Sequence, residues 1–323
     1  MGAASVLVIS QDLDITADLV IAELARRDVG VVRFDLADFP EALTQVAYLV
    51  PGRTRWTGAL RGRVRDVDLS AVESVWYRKP SPFALAPGMT RTEQQWAAAE
   101  ARVGFGGLLA ALDVRWVSRP DLIAVAGYKP LQMAVAVACG LAVPESLVTN
   151  DPAQARDFCW AHRKAGVIYK PLTGGPGSEN GDRVALRADT VSAGEITDGV
   201  RRTTHLFQVR VPCAYAVRVT VVGDRLFAAR IDTPPGVDTV DWRAVHDQLT
   251  WTPIDVPDDV AAGLRAVMGR LGLAYAAPDF IVDHDGRWQF HGDLNPNGQW
   301  AWIESLRPAI TRALADELTQ GRS

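Results

Sequence analysis

Lysine is scarce in this sequence, which carries almost all of its positive charge on arginine. Only four of the 34 basic residues are lysine, namely Lys79, Lys129, Lys164 and Lys170. An ammonium group is a compact point charge that suits phosphate, and a planar guanidinium does not replace it without loss. The lysines are therefore candidate phosphate contacts, except Lys164, which lies at a predicted helix end where the helix dipole favours any cation.

Excess positive charge and long apolar runs are also absent. The formal net charge of −4 gives no basic footprint for nucleic acid. The longest apolar stretch, residues 122–143, contains Lys129 and Gln132, which excludes a membrane span. The N-terminus lacks the basic region and the apolar core of a signal peptide, so residues 5–10 are predicted to form a buried strand. We therefore expect a cytoplasmic protein whose partners are small molecules or proteins.

The cysteines are few and form no motif. Cys139, Cys159 and Cys213 are odd in number, widely spaced and without the spacing of a metal or redox site. This pattern is typical of a protein in a reducing compartment. A chain of 323 residues with 48% hydrophobic content is long enough for two or three domains that need no disulfides.

A dinucleotide fingerprint is missing from an N-terminal segment that otherwise has the matching pattern. Residues 5–10, 17–27 and 29–35 are predicted to form a strand, a helix and a second strand. The turn at residues 10–14 has no glycine where a pyrophosphate would approach the backbone. The N-terminal part is therefore predicted not to bind NAD.

Oxygen-bearing side chains cluster near the C-terminus. Strands at residues 280–282 and 288–290 flank an Asp-Gly turn and are predicted to pair as a hairpin. Asp293 and Asn295 then share a face, and Asp279 lies where the two strand ends meet. Two carboxylates and an amide suit Mg²⁺ or Mn²⁺ that carries phosphate. The alternative is a loop end whose Asp and Asn side chains cap local backbone groups.

Two of the lysines occupy positions that favour an anion. Lys129 opens a helix that is predicted to stop at Gly140, and a cation at a helix N-terminus is unfavourable unless it faces an anion. Lys170 ends a predicted strand and precedes the glycine-rich segment 171–181. That segment is either a hairpin flap whose N–H groups cover phosphates or an ordinary surface turn.

Arginines on two other strands are candidate contacts for anions. Arg218 lies among valines in a strand that turns at Gly223, and a charge there requires a partner. A two-residue turn places Arg218 opposite Ala229, whereas a bulge places it opposite Arg230. A further strand ends at Arg78 and Lys79, which either meet an acidic substrate or form a solvated strand end.

These features occur in an order that resembles the ATP-grasp superfamily. Residues 75–80 (Val-Trp-Tyr-Arg-Lys-Pro) and 295–300 (Asn-Pro-Asn-Gly-Gln-Trp) resemble the signature of its ribosomal peptide maturases, the graspetide or microviridin-type synthetases. The resemblance covers essentially the whole chain and implies an α/β (α+β) fold in which three parts clamp ATP. The parts are an N-terminal βαβ pre-ATP-grasp domain at 1–117, a central subdomain at 118–204 and a C-terminal subdomain at 205–323.

The resemblance also implies roles for individual residues. The implied nucleotide contacts are Lys129, Lys170, Gly174, Gly175, Gln208, Val209 and Val211, the last three in the hinge that reads adenine. Arg218 and Arg230 are implied beside the transferred phosphate, and Asp279, Asp293 and Asn295 as Mg²⁺ ligands. The candidate substrate contacts are Arg78, Lys79 and Arg243. The chain departs from the commonest pattern in having Asp293 where Glu is usual, and in lacking an acidic hinge residue for the ribose.

The implied activity uses ATP and Mg²⁺ to make cross-links in a ribosomal precursor peptide. Side-chain carboxylates of Asp or Glu in an acidic, Thr-rich core become acyl phosphates, which Thr, Ser or Lys side chains capture as esters or amides, while a leader segment is recognised separately. The resemblance also allows a homodimer. One alternative is a carboxylate-amine ligase that joins free amino acids. Another is a peptide-binding protein that senses ATP without turnover, against which the intact set of metal ligands argues.

Overall fold

The protein is described by a computed structural model that covers residues 6–63, 65–173, 186–234 and 240–320. Its strands in these ranges are, in chain order, β1 (Val6–Ile9), β2 (Val31–Phe34), β3 (Thr44–Tyr48), β4 (Thr57–Arg61), β5 (Asp66–Asp68), β6 (Ser74–Tyr77), β7 (Arg115–Val117), β8 (Ser146–Thr149), β9 (Val167–Lys170), β10 (Asp189–Val191), β11 (His205–Val209), β12 (Tyr215–Val222), β13 (Arg225–Asp232), β14 (Thr250–Ile254), β15 (Tyr275–Ala276), β16 (Asp279–Val282) and β17 (Trp288–Phe290). Its α-helices in these ranges are α1 (Ile15–Arg26), α2 (Arg91–Ala110), α3 (Pro120–Ala126), α4 (Lys129–Ala138), α5 (Pro152–Ala161), α6 (Asp258–Leu271) and α7 (Arg307–Thr319). Among the described residues, none of these helices combines the length and the apolar composition that a membrane crossing requires.

The N-terminal part is built on a parallel sheet whose strand order is β2-β1-β6-β7. Successive residues of β1 point to opposite faces, so Val6 and Val8 pack with α1 and α7 while Leu7 and Ile9 pack with α2. Both faces are therefore covered, which is why β1 is apolar throughout. The βαβ start predicted from the sequence is confirmed, and a small antiparallel sheet, β3-β4-β5, packs beside it.

The central part carries an antiparallel sheet in the order β10-β9-β11-β8. Helix α5 packs on this sheet through Ala155 and Cys159. Strand β11 pairs with both β8 and β9, so the sheet continues past residue 204, where the sequence placed the end of the central subdomain. Helices α3 and α4, which precede the sheet in the chain, pack against α6 of the C-terminal part.

The C-terminal sheet has the order β14-β13-β12-β16-β17, and β15 pairs with the end of β12. A layer of α3, α4 and α6 covers one face of this sheet. There Leu264 of α6 packs in one cluster with Phe280 of β16 and with three valines of β12, Val217, Val219 and Val221. Helix α7 packs on the other face and also contacts the N-terminal sheet. At the start of β6, the Ser74 hydroxyl donates to the Leu318 carbonyl of this helix (2.8 Å).

The final helix, α7, begins at Arg307 after a series of turns at residues 301–306. Pro308 lies in its first turn, where a missing N–H is tolerated, whereas a proline further inside would break the helix. Trp302 lies in these turns, and its side chain packs against the core cluster that includes Val222 and Ala229 of the C-terminal sheet.

Candidate active site

A cavity of about 810 Å³ lies between the central sheet and the C-terminal sheet. Lys129 and Lys170 line it from the central side, and Asp293 and Asn295 line it from the loop after β17. A cleft of this size between two parts of a fold is typical of a nucleotide or cofactor site. Two predicted lysines and two of the three predicted metal ligands thus line one cavity.

Asp279 and Arg218 form a buried ion pair at the edge of this cavity. They lie opposite each other on β16 and β12. Arg218 donates from Nε to Asp279 Oδ1 (2.8 Å) and from Nη2 to Oδ2 (2.9 Å), which is the two-bond geometry that best suits a carboxylate. The strand partner of Arg218 on β13 is Ala229, because the hairpin turns through two residues and contains no bulge. The charged partner that the sequence required is therefore Asp279.

Asp293 is held by both predicted phosphate-binding lysines. The ammonium of Lys129 contacts Asp293 Oδ1, and that of Lys170 lies 3.1 Å from Oδ2. Burial alone would raise the pKa of Asp293, but the two ammonium groups hold it well below its usual value. Burial lowers the pKa of Lys170 to about 8, against the opposing effect of Asp293. Each lysine thus has a counter-charge in the protein that a bound phosphate can replace.

Arg243 reaches the same carboxylates from an irregular segment, Trp242–Gln248. Its Nη2 donates to Asp279 Oδ2 (2.6 Å) and lies 3.8 Å from Asp293 Oδ2. Although burial lowers the pKa of Arg243, the carboxylates of Asp279 and Asp293 raise it above the usual value. The sequence interpretation placed Arg243 among the peptide contacts, whereas the structure brings it to the predicted metal ligands.

Arg230 does not reach this group. Because Arg218 lies opposite Ala229, the next residue, Arg230, points to the other face of the hairpin. Its guanidinium pairs with Asp232 (2.7 Å) and lies over the ring of Tyr215, 4.1 Å from the centroid. The sequence interpretation placed Arg230 beside the transferred phosphate, and strand alternation is the reason that the structure places it elsewhere. Arg243 is instead the second arginine, beside Arg218, that contacts the predicted metal ligands.

Two tryptophans flank the guanidinium of Arg218. Its central carbon lies 5.1 Å from the ring centroid of Trp242 and 5.8 Å from that of Trp302. Such stacking fixes the plane of the guanidinium, and its Nη1 also donates to the Gln299 carbonyl (3.1 Å). Sequence reasoning missed both tryptophans; the only signal for Trp302 was its position just after the segment at 295–300.

The oxygen donors fit a hard divalent cation. Asn295 Nδ2 donates to Asp279 Oδ2 and to the carbonyl of Ala277, each at 3.1 Å. This orientation leaves Asn295 Oδ1 without a hydrogen bond from any residue in the described ranges, so it is available to a cation. Within those ranges no three His, Cys, Asp or Glu side chains form a metal cluster, and the set is two carboxylates and one amide. Mg²⁺ suits such a set because it commonly takes one or two carboxylates and completes its shell with phosphate and water.

The loop that carries Asn295 is held by close packing and by Arg78. A Cβ at Gly298 would lie 2.3 Å from the Cβ of Ala277, which explains the glycine. Arg78 is fully buried, pairs with Asp14 (3.0 Å) and donates to the carbonyls of Asn297 and Gly298, each at 3.1 Å. Arg78 therefore ties the N-terminal sheet to the loop. It has no exposed surface for the acidic peptide residues that the sequence interpretation assigned to it.

The predicted hinge is only partly at the cavity. Val211 lines it, whereas Gln208 and Val209 lie inside the central sheet. The Gln208 side chain donates to Ser146 Oγ (2.9 Å), and the Val209 N–H donates to the Glu145 carbonyl (2.9 Å). Gly174 and Gly175 lie outside the described residues.

Comparisons with known proteins agree with this geometry. Residues 5–123 match the family model of the MvdD pre-ATP grasp domain. No curated protein matches the chain. Among solved structures, the macrocyclase MdnC bound with precursor peptide MdnA from Microcystis aeruginosa MRC is 26% identical, with a TM-score of 0.85 over 97% of this chain and 99% of that one.

Two further structures share the fold at lower identity. A Chryseobacterium gregarium RiPP-associated ATP-grasp ligase, in complex with ADP and a leader and core peptide, is 24% identical, with a TM-score of 0.88 over 99% of this chain and 98% of that one. The ATP-grasp ligase PsnB, complexed with a minimal precursor, Mg and ADP, is 22% identical, with a TM-score of 0.74 over 99% of each chain. The arrangement of sheets around the cavity is therefore the ATP-grasp arrangement.

Proposed function

We propose that this chain, an ATP-grasp ligase of the ribosomal peptide maturase type by its fold and its N-terminal domain, cross-links side chains within a ribosomal precursor peptide. In this proposal it activates Asp or Glu carboxylates of the peptide core with ATP. Thr, Ser or Lys side chains of the same peptide then capture them as esters or amides. The structural relatives that hold precursor peptides, ADP and Mg support this choice of substrate and cofactors.

The observation that carries the proposal is a cluster of four cations around two carboxylates beside the cavity. Lys129 and Lys170 contact Asp293, and Arg218 and Arg243 contact Asp279. In our proposal the lysines bind phosphates of ATP. Asp279, Asp293 and Asn295 would hold Mg²⁺, which would supply charge neutralisation for phosphoryl transfer. Arg218 and Arg243 then face the phosphoryl group as charge develops on it.

The proposed reaction has two balanced steps. A carboxylate oxygen of the peptide attacks the γ-phosphorus, the bond to the bridging oxygen of ADP breaks, and ADP leaves. A hydroxyl or amine of the peptide then attacks the acyl carbon, loses its proton, and inorganic phosphate leaves with the carboxylate oxygen. The peptide thereby loses one water for each ATP converted to ADP and phosphate.

The mass of the peptide tests this function. Incubation of the enzyme with ATP, Mg²⁺ and a Thr- and Glu-rich core peptide attached to its leader should lower the peptide mass by about 18 Da per ring, the loss of one water for each phosphoryl transfer. Omission of Mg²⁺ or of ATP should abolish the loss. If ATP turns over only with free amino acids, and products grow by residue additions, the chain is a carboxylate-amine ligase instead.

Replacement of either phosphate-binding lysine should weaken ATP binding. Lys129→Ala and Lys170→Ala each remove one charge-assisted contact, on the order of 1.5–3 kcal/mol. Isothermal calorimetry with a non-hydrolysable ATP analogue and Mg²⁺ measures the change. Lys164→Ala is the matched control, because Lys164 is an exposed lysine at the end of a helical segment, and it should leave the affinity unchanged. Unchanged affinity in both site variants would remove the lysines from the nucleotide site.

A further inference from the structure

The N-terminal sheet has a topological switch point that the nucleotide site does not use. In the order β2-β1-β6-β7, the chain leaves β1 toward one side and returns to β6 on the other. Ligands of open parallel sheets bind at such a switch point, beyond the carboxyl ends of the strands. Here those ends carry Asp14 after β1 and Arg78 and Lys79 after β6, and Arg78 fixes the loop of Asn297 beside them.

Lys79 has an unfavourable backbone conformation at this switch point. Its φ is +38°, in the left-handed region that residues other than glycine and asparagine seldom adopt. The residue also precedes Pro80, which itself restricts the backbone. Such a conformation persists where the surrounding structure imposes it, and it is concentrated at binding sites. Lys79 follows the fully buried Arg78, whose contacts with Asp14 and with the Asn297 and Gly298 carbonyls fix the chain next to it.

The ammonium of Lys79 lacks the counter-charge that its neighbours have. Arg78 pairs with Asp14, and Arg218 pairs with Asp279. Lys79 makes no hydrogen bond or ion pair with any residue in the described part of the chain. Burial of part of the side chain and the nearby Arg78 lower the pKa of Lys79 to about 8, although Asp14 opposes them. Lys79 is an exposed residue, so its ammonium is open to a ligand.

Exposed apolar side chains lie next to Asp14, the partner of Arg78. Leu13 and Ile15 flank the buried Asp14 and are 90% and 72% exposed. A leucine and an isoleucine exposed beside an unpaired ammonium suit an extended peptide that presents one acidic side chain among less polar ones.

We propose that Lys79 binds the carboxylate of an acidic core residue of the peptide substrate, with neighbouring peptide residues lying on Leu13 and Ile15. This inference rests on the proposed function. It assigns substrate recognition to the switch point of the N-terminal sheet and leaves ATP binding to the cavity between the other two sheets.

Steady-state kinetics of Lys79→Met test the assignment. The contact exists before phosphoryl transfer, so its loss should raise KM for the peptide about 10- to 100-fold while kcat and KM for ATP stay near wild type. Lys79→Arg keeps the charge and should recover part of the affinity. Lys164→Met is the control for loss of a lysine, and thermal unfolding confirms that each variant folds. An unchanged peptide KM in Lys79→Met, or an equal rise in KM for ATP, overturns the proposal.

Direct binding separates a failure of this inference from a failure of the proposed function. Fluorescence anisotropy compares a labelled Glu-containing core peptide with the same peptide carrying Gln, on the wild type and on Lys79→Met. We expect the wild type to prefer the Glu peptide by about tenfold and the variant to show no preference. If the wild type binds with that preference but never lowers the peptide mass, the proposed function fails and the Lys79 site stands. If the wild type shows no preference for Glu, the Lys79 site fails whatever the turnover. Leu13→Ser should weaken both peptides, whereas Val103→Ser, at an exposed position of α2, should not.

Discussion

Asp293→Asn is expected to lower turnover by about a thousandfold or more. The change keeps the shape of the side chain but removes the carboxylate charge that a divalent cation requires, and metal neutralisation of a transferring phosphoryl group contributes several kcal/mol. ADP release at saturating ATP and Mg²⁺ measures the effect. Wild-type activity in this variant at saturating Mg²⁺ would remove Asp293 from the metal site.

The controls for this variant separate metal binding from folding. Asp293 also pairs with Lys129 and Lys170, so its loss leaves buried cations without their partner and lowers stability. Asn295→Ala removes a predicted ligand without changing any charge, and it should lower turnover with a smaller loss of thermal stability. Asp285→Asn, at a 72% exposed side chain in the turn between β16 and β17, should leave both unchanged.

Arg218→Met is expected to have the second large effect, on stability as well as on turnover. Its side chain is 5% exposed and that of its partner Asp279 is fully buried, so removal of the guanidinium leaves the buried carboxylate with Arg243 as its remaining charged partner. Loss of one member of a buried pair typically reduces the free energy of unfolding by about 3–5 kcal/mol, and the contact with Arg243 should keep the loss near the lower end of that range. Denaturant unfolding measures this change, and Arg218→Lys tests whether charge without the two-bond geometry supports turnover.

Arg230→Met is the matched control for Arg218→Met, because it removes an arginine from the neighbouring strand, β13. Arg230 carries the same charge one strand away, but it is 41% exposed and pairs with Asp232 on the opposite face. An exposed pair contributes about 0–1 kcal/mol, so stability and ADP release should stay close to wild type. Equal losses of turnover in the two variants would restore Arg230 to the catalytic role that the resemblance implied.

The parts of the site that follow from local periodicity could be predicted from the sequence. The Asp-Gly turn pairs β17 with β16, so the segment after β17 returns to the start of β16, where the Asp279 N–H donates to the Asp293 carbonyl (3.0 Å). Strand alternation does not extend to these residues, because β17 ends at Phe290 and Asn295 has a φ of +48°. Lys129 at the start of α4 and Lys170 at the end of β9 were also predictable, since capping and strand ends are set by neighbouring residues. Local sequence patterns therefore predicted the positions of these two lysines.

The remaining contacts depend on residues that are distant in the chain. Arg78 is buried because Asp14, on another strand end, reaches it, and no local pattern reveals that pair. Arg243 comes from an irregular segment whose path is fixed by packing of Trp242 against Trp251, 5.5 Å between ring centroids. The direction of the Arg230 side chain depends on the register of the β12–β13 hairpin. The sequence allows either a two-residue turn or a bulge there, so only the paired strands show the register.

The central claim is that ATP phosphorylates a carboxylate of the peptide, and transfer of ¹⁸O tests it most directly. A core peptide with ¹⁸O in its Glu side-chain carboxylates is incubated with the enzyme, ATP and Mg²⁺, and the inorganic phosphate is analysed by mass spectrometry. Attack of the carboxylate on the γ-phosphorus moves its oxygen to phosphate, so the account predicts one ¹⁸O atom in phosphate for each water that the peptide loses. Loss of water from the peptide with no ¹⁸O in the phosphate would contradict the account.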